Sequence, residues 1–226
     1  MINSLNKDVK YRGLILALII LSGLVSGCAH PNKELTFLYP GQYALDGYGT
    51  DGEAVVFEDN SIKISAAQIK DESALESPIT RELLNSGFIL IKMEIKNKSR
   101  RKALYDPALT SLRDSKMGYF KPLDFTDLYM LKIKKNGISS PLSGVEKILY
   151  DLAERVEPGE VSSKILVFHA LTEKAEEAEL IMKSIYIGKD ILDLTFNFVL
   201  QPRGKEEITP PPNRGTRRTC TRAPCD

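Results

Sequence analysis

The stretch ILDLTFNFVLQ, residues 191–201, limits most sharply what this chain can fold into. Leu192, Leu194, Phe196, Phe198 and Leu200 recur at every second position, with Asp193, Thr195 and Asn197 between them. Successive strand side chains point to opposite faces, so this spacing gives a strand with one buried and one wet face. A helix would scatter the same residues around its circumference. FILIKMEIKNKS repeats the pattern, with Ile89, Ile91, Met93 and Ile95 alternating with Lys92, Glu94 and Lys96. Half-wet strands of this kind belong to antiparallel sheets and must bury their apolar faces against a second layer.

The rest of the chain from Leu35 to Gln201 supplies the partners. Ala54 to Glu58 and Ser61 to Ile69 form a hairpin across Asp59-Asn60. KALYDPALTSLRDSKMGYFKPLD reads as short strands with turns at Asp106-Pro107 and around Lys116-Met117-Gly118, and KILVFHAL and AELIMKSIYIG read as further strands. Leu35–Pro40 and Gln42–Leu45 are short strand-like pieces. Ser77 as cap, Pro78 at the first position and Gly87 at the stop predict a short helix between them. Many short strands joined by tight turns predict a mainly β chain, an antiparallel β-sandwich over residues 35–201.

Two segments interrupt the strand pattern. DGYGTDGE, Asp46 to Glu53, is read as a flexible turn. As a calcium loop it fails, because Tyr48 and Thr50 occupy ligand places and Asp51 stands where the turn glycine belongs. Phe125 to Val156 is read as a helical insertion in two pieces, FTDLYMLKIKK and SGVEKILYDLAERV, ended by Glu157-Pro158-Gly159-Glu160. In the second piece Val145, Ile148, Leu149, Leu152 and Val156 lie on one helical stripe. The stripe is expected to cap an open end or edge of the sandwich, leaving Glu146, Lys147, Asp151 and Glu154 outward for a partner.

The N-terminus predicts an address. Lys7, Lys10 and Arg12 precede an unbroken apolar run from Leu14 to Leu21, and Ser22, Gly23, Ser26 and Gly27 follow. These are the three parts of a secretory signal peptide, residues 1–27. Its apolar stretch is shorter than the roughly 20 residues that cross a bilayer. Leu24-Val25-Ser26-Gly27-Cys28 then resembles the bacterial lipobox. That resemblance implies cleavage before Cys28 and a diacylglycerol on its thiol, with a tether over residues 28–34. Each buried methylene holds such an anchor by about 0.8 kcal/mol, so two or three chains hold stably. Ala29 after the lipid-bearing cysteine resembles an outer-membrane destination where the cell has two membranes.

Charge narrows the partners. The chain carries 31 Lys+Arg against 30 Asp+Glu, and losing the leader removes three basic residues and one acidic. A balanced surface argues against nucleic acid as the main partner. Residues 202–226 hold five prolines and no aromatic residue, and they read as a disordered, Arg-rich tail. Within it Cys220 and Cys225 either form a local disulfide in an oxidising compartment or stay free, and no nearby His or Cys completes a metal site.

The pieces FILIKMEIKNKS, VEPGE, KILVFHAL and LTFNFVL together resemble the immunoglobulin-like extracellular lipoprotein domains of the telokin-like class. They span roughly Phe88 to Leu200. The resemblance implies an immunoglobulin-like sandwich, to which the helical insertion is an addition, and a binding or scaffolding module with no activity common to the class. Mechanically, Asn97 can close an Asx-type turn, while Pro158 and Gly159 suit a tight turn.

A search for chemistry yields no catalytic residue, cofactor site or metal site. The two histidines, His30 and His169, are far apart in sequence, and His169 reads as packing at the core's edge. Nucleophile, P-loop and dinucleotide motifs do not occur. Two carboxylates are enough for a glycosidase, but the chain has no Trp on which to stack a sugar. Phe37, Tyr39, Tyr43, Tyr48, Tyr119, Phe120, Phe125 and Tyr129 belong either to the core or to a contact patch. Two readings follow. One is a membrane-anchored, non-enzymatic envelope lipoprotein that binds another envelope protein. The other is a small-molecule carrier or hydrolase with an acidic site between sandwich and helical insertion. A concave apolar pocket with convergent polar groups would favour the carrier, and a flat exposed apolar patch the protein partner.

Overall fold

A computed structural model describes residues 36–42, 45–133, 139–150 and 152–202. The leader, Cys28, the tether, Tyr43, Asp151 and residues 203–226 with Cys220 and Cys225 lie outside the described residues. Pro202 ends a strand opposite Thr36 and so belongs to the sandwich and not to the tail.

Among the described residues twelve strands form two antiparallel sheets. The smaller sheet runs β10 (Val161–Phe168), β5 (Ile89–Asn97), β4 (Ile62–Gln68), β3 (Ala54–Glu58), β2 (Tyr48–Asp51). The larger runs β1 (Thr36–Pro40), β12 (Asp190–Pro202), β11 (Glu177–Ile187), and then divides. Along the free edge of β11, β7 (Thr110–Asp114) covers Ala178 to Met182, with β8 (Tyr119–Phe120) beyond it. β6 (Ala103–Tyr105) covers Tyr186 and Ile187, with β9 (Glu154–Val156) beyond it. Between those two stretches β11 bulges, and Ser184 takes φ 55° while its N–H bonds the Asp193 carboxylate at 2.7 Å.

The inward faces meet in one core. Ile64, Met93, Leu166 and Phe168 from the smaller sheet pack with Leu180, Met182, Leu194, Phe196 and Phe198 from the larger. The strand periodicity is realised in β12, where Leu194, Phe196 and Phe198 are buried and Asp193 and Asn197 exposed. The chain is therefore an antiparallel β-sandwich with a helical insertion. The hairpin of β3 and β4 and the helix α1 (Pro78–Asn85) also form where the sequence places them.

The smaller sheet is half-wet along only part of its length, where Lys92 and Lys96 are exposed as the alternation predicts. Its outer face carries a second apolar cluster in which Leu90, Ile165 and Val167 lie with Ile79 and Leu83 of α1 and Leu128 of α2 (Phe125–Ile133). Leu142, Val145 and Leu149 complete that cover. Ile89, Leu90 and Ile91 are thus buried consecutively, as a strand covered on both faces requires.

Two expectations need correction. Asp46 to Glu53 is not merely a flexible turn: Tyr48–Asp51 is β2, paired residue for residue with β3, and Tyr48 packs edge-on against Phe57 and Phe196. The second helix of the insertion does not form. Val145–Lys147 makes one 3-10 turn, Leu149 bridges in parallel to Ile165 on the edge of β10, and Glu154–Val156 is a strand. Tertiary pairing overrides the helical stripe here, because the free edge of β10 offers hydrogen bonds that a helix would leave unmade. The Ile165 N–H bonds Ile148 O at 2.8 Å, and the Tyr150 N–H bonds Ile165 O at 3.0 Å. Consequently Val145, Leu149 and Val156 are buried as the stripe requires, while Leu152 is 77% exposed.

This strap is pinned where it begins. Glu82 of α1 accepts from the Ser139 and Ser140 N–H groups, and Lys132 of α2 donates to Ser140 O at 2.8 Å. At its end, Asn97 holds three segments together. Its amide nitrogen donates to Val156 O at 2.9 Å and Arg101 O at 2.7 Å, and its side-chain oxygen accepts from the Ser99 N–H at 3.0 Å. The Gly159 N–H bonds Asn97 O at 2.9 Å, and Gly159 takes φ 81°, a conformation in which a Cβ is strained. The Asx turn at Asn97 and the Pro-Gly-Glu turn are therefore two halves of one joint.

Candidate interaction surface

The residues first suspected of chemistry are dispersed. His30 and Cys28 lie outside the described residues. His169 is exposed just past β10, its ring 5.3 Å from that of Phe88. Among the described residues no group of three His, Cys, Asp or Glu side chains is placed to hold a metal ion. Of the aromatics, Phe37 is buried, Phe120 is half-buried against the core, and Tyr39 lies under the Lys70 ammonium at 3.4 Å. Tyr119, Phe125 and Tyr129 are exposed. They divide between β8 and α2, so the aromatic list does not assemble into a single patch.

The expected outward face of the insertion also divides. Glu146 and Lys147 are exposed on the 3-10 turn. Glu154 instead turns back to the sandwich, accepting from the Ser162 hydroxyl and pairing with Lys164 at 2.7 Å. Ser162 in turn meets the Tyr150 hydroxyl at 2.9 Å, and Tyr150 stacks edge-on against Tyr105, whose hydroxyl meets that of Thr110 at 2.8 Å. Burial pushes both phenols well above the usual tyrosine range. The network links Tyr150, Ser162 and Glu154 by hydroxyl bonds, and the other Glu154 oxygen relies on its ion pair with Lys164.

Asp114 is likewise committed. Its carboxylate accepts from the N–H groups of Lys116, Gly118 and Thr172 at 2.8 to 2.9 Å, tying the β7–β8 turn to the loop after β10. Burial acts to raise its pKa, but these bonds outweigh it and hold it below the usual carboxylate range.

What remains is the outer face of the larger sheet, which no helix covers among the described residues. Register places Arg155 of β9 opposite Leu104 of β6, Leu104 opposite Tyr186 of β11, and Tyr186 opposite Ile191 of β12. The four side chains form one row across four strands. Leu104, Tyr186 and Ile191 are 40%, 41% and 62% exposed. One pleat along, Lys102 pairs with Glu157 at 2.9 Å, and Gly188 contributes no side chain. The gap at Gly188 makes an open, shallow depression lined by Lys102, Leu104, Arg155 and Tyr186. Arg101 lies against Gly188 at its margin, so that a Cβ at Gly188 would collide with its side chain.

No single segment announces this row, because its members come from four strands whose register only the fold sets. A partial signal was present in SIYIG, where Tyr186 falls on the wet side of an alternation that buries Ile185 and Ile187. An aromatic residue on a wet face is a reason to look for a partner there.

No protein-family model matches the chain, and no curated protein matches it in sequence. Among solved structures, the YjhA protein of Bacillus subtilis is 12% identical with a TM-score of 0.36, covering 62% of this chain and 93% of its own. A functionally unknown protein of Listeria monocytogenes EGD-e is 14% identical with a TM-score of 0.34, covering 74% of this chain and 85% of its own. Neither likeness is close enough to transfer a function. Both are to bacterial proteins with a β-rich fold.

Proposed function

We propose that the chain is a lipid-anchored envelope protein that binds another envelope protein through the outer face of its larger sheet, without catalysis of its own. The address rests on the leader and the Leu24–Cys28 box. The assignment to an immunoglobulin-like domain of the telokin-like class rests on the quoted strand and turn motifs, and the joint between Asn97 and Gly159 supplies a physical reason for their co-occurrence.

The observation that carries the binding role is the exposed row of Leu104, Tyr186 and Ile191 beside Arg155. It is open and shallow rather than enclosed, which suits a protein surface better than a small ligand. The carrier or hydrolase reading has less support, since the layer between the smaller sheet and the helices is filled by leucine, isoleucine and valine side chains.

Two experiments test the proposal. Cells fed a clickable palmitate should label the wild type and not Cys28→Ser; equal labelling removes the anchor. Pull-down of the detergent-extracted protein should recover a partner whose yield falls on Tyr186→Asp at unchanged melting temperature. An unchanged yield removes the face from consideration.

A further inference from the structure

We propose that this face takes an acidic, extended segment of the partner protein, with carboxylates on Arg155 and Arg101 and an apolar side chain laid over Leu104 and Tyr186. The inference rests on reading the face as a protein-binding surface and names what that surface selects. Three observations carry it.

The first is charge. Among the described residues neither Arg101 nor Arg155 makes an ion pair, whereas the ammonium of Lys102 already has Glu157. A planar guanidinium presents paired donors matched to a carboxylate, and here two such groups flank one apolar floor.

The second is positioning. Gly188 takes φ 66° in the β11–β12 turn, and the Arg101 side chain occupies the space its missing Cβ leaves, with Nη1 3.2 Å from that point. The stem of Arg101 is thereby laid beside the depression instead of being free to sweep through solvent. A preorganised side chain loses less entropy when it binds.

The third is dimension. Four neighbouring strands at about 4.8 Å spacing make a row about 14 Å long, which an extended peptide spans with roughly four residues. A membrane surface is the weaker match. Clusters that bind anionic lipid hold about 4 to 8 Lys or Arg, whereas here Arg101, Lys102 and Arg155 stand with Glu157 among them.

The test uses the full chain in a neutral detergent and two fluorescent peptides, one alternating glutamate with leucine, the other with glutamine in place of each glutamate. The glutamate peptide should bind at least about 10-fold more tightly, and the preference should shrink as salt rises from about 0.1 to 1 M and the screening length falls from about 10 to 3 Å. Reversing both cations, Arg101→Glu with Arg155→Glu, should abolish the preference at an unchanged melting temperature. Equal binding of the two peptides overturns the proposal, as does a preference that survives the double reversal. Phosphatidylglycerol vesicles form the last arm. If they bind through these arginines and the peptides do not, the ligand is a membrane surface and the proposal fails.

The pull-down separates the two levels of inference. Partner recovery that falls on Tyr186→Asp but survives the arginine reversals leaves a protein-binding face with the wrong chemistry assigned. Recovery indifferent to both removes the face itself.

Discussion

The two sheets of this sandwich are chemically alike on the inside and opposite on the outside. The outer face of the smaller sheet lies under α1, α2 and the strap, with Leu83, Leu90 and Leu128 fully buried. Among the described residues the outer face of the larger sheet has no such cover, yet it keeps Leu104, Tyr186, Ile191 and Val199 exposed. A sheet face that is wet for structural reasons alone is mostly polar, as Glu177, Lys183, Asp193 and Asn197 are on this same face. The apolar exceptions are where function can be sought. Covered apolar residues hold the fold, and uncovered ones are free for a partner.

The largest effects should separate the two faces. Leu90→Ala under the helices and Leu149→Ala in the strap should each lose about 2 to 5 kcal/mol in denaturant unfolding. Ile191→Ala on the open face and Leu152→Ala in the strap should stay within about 0.5 kcal/mol. The pair Leu149 and Leu152 is the more discriminating one. A helix would bury both, whereas the strap buries only the first.

That pair also marks what the sequence discloses. β12 is readable because one side of it is wet, so its period survives in the text. The covered sheet is partly concealed, since Leu90 fills the gap that alternation would leave between Ile89 and Ile91. The strap misleads for a different reason. Val145, Ile148, Leu149 and Leu152 fit a helical stripe, but the deciding term is the open edge of β10, a segment distant in sequence that no local window contains. β2 is hidden by its glycines and by pairing that its own residues do not signal. The interaction row is the least readable feature, because Arg155, Leu104, Tyr186 and Ile191 acquire a common meaning only through register.

The joint between the sheets should rank next. Asn97→Ala leaves the buried carbonyl of Val156 without this donor, at a cost of about 1 to 3 kcal/mol, while Arg101 O keeps the Ser99 hydroxyl. The substitution should raise the hydrogen-exchange rate of the strap and the Pro-Gly-Glu turn together, and leave β12 protected. Loss of protection across the whole molecule at once would mean that Asn97 supports the core and is no local joint.

Gly188→Ala should matter less for stability and more for the open face. Its positive φ makes a Cβ unfavourable by about 1 to 2 kcal/mol. The added methyl must also displace Arg101. Weaker binding of the acidic peptide by Gly188→Ala, with the melting loss matched by Gly87→Ala at the end of α1, where φ is 84°, would isolate the positioning of Arg101. Equal peptide affinity for the two variants would show that the stem of Arg101 needs no such support.

The smallest effect belongs to the helical cover and concerns acid. Burial acts to raise the pKa of Glu82, but hydrogen bonds from Ser140 and Ser139 dominate and lower it to about 2. In the unfolded chain the same carboxyl titrates in the ordinary range near 4.3. A depressed native pKa means that the unfolded state takes up the proton first as pH falls. The clamp on the strap therefore contributes fully above the unfolded value, weakens between there and about pH 2, and is lost below that. Glu82→Gln keeps the shape and removes the titration, so its unfolding midpoint should fall less than that of the wild type between pH 5 and pH 2. The carboxylate is too exposed for the difference to be large. Exchange at Ser139 and Ser140, whose N–H groups it holds, should be the more sensitive readout. Parallel acid profiles for the two proteins, with Ser139 and Ser140 equally protected, would show that α1 and the strap are held by their apolar contacts alone. The covered face would then owe nothing to charge, in contrast to the open face with its two arginines.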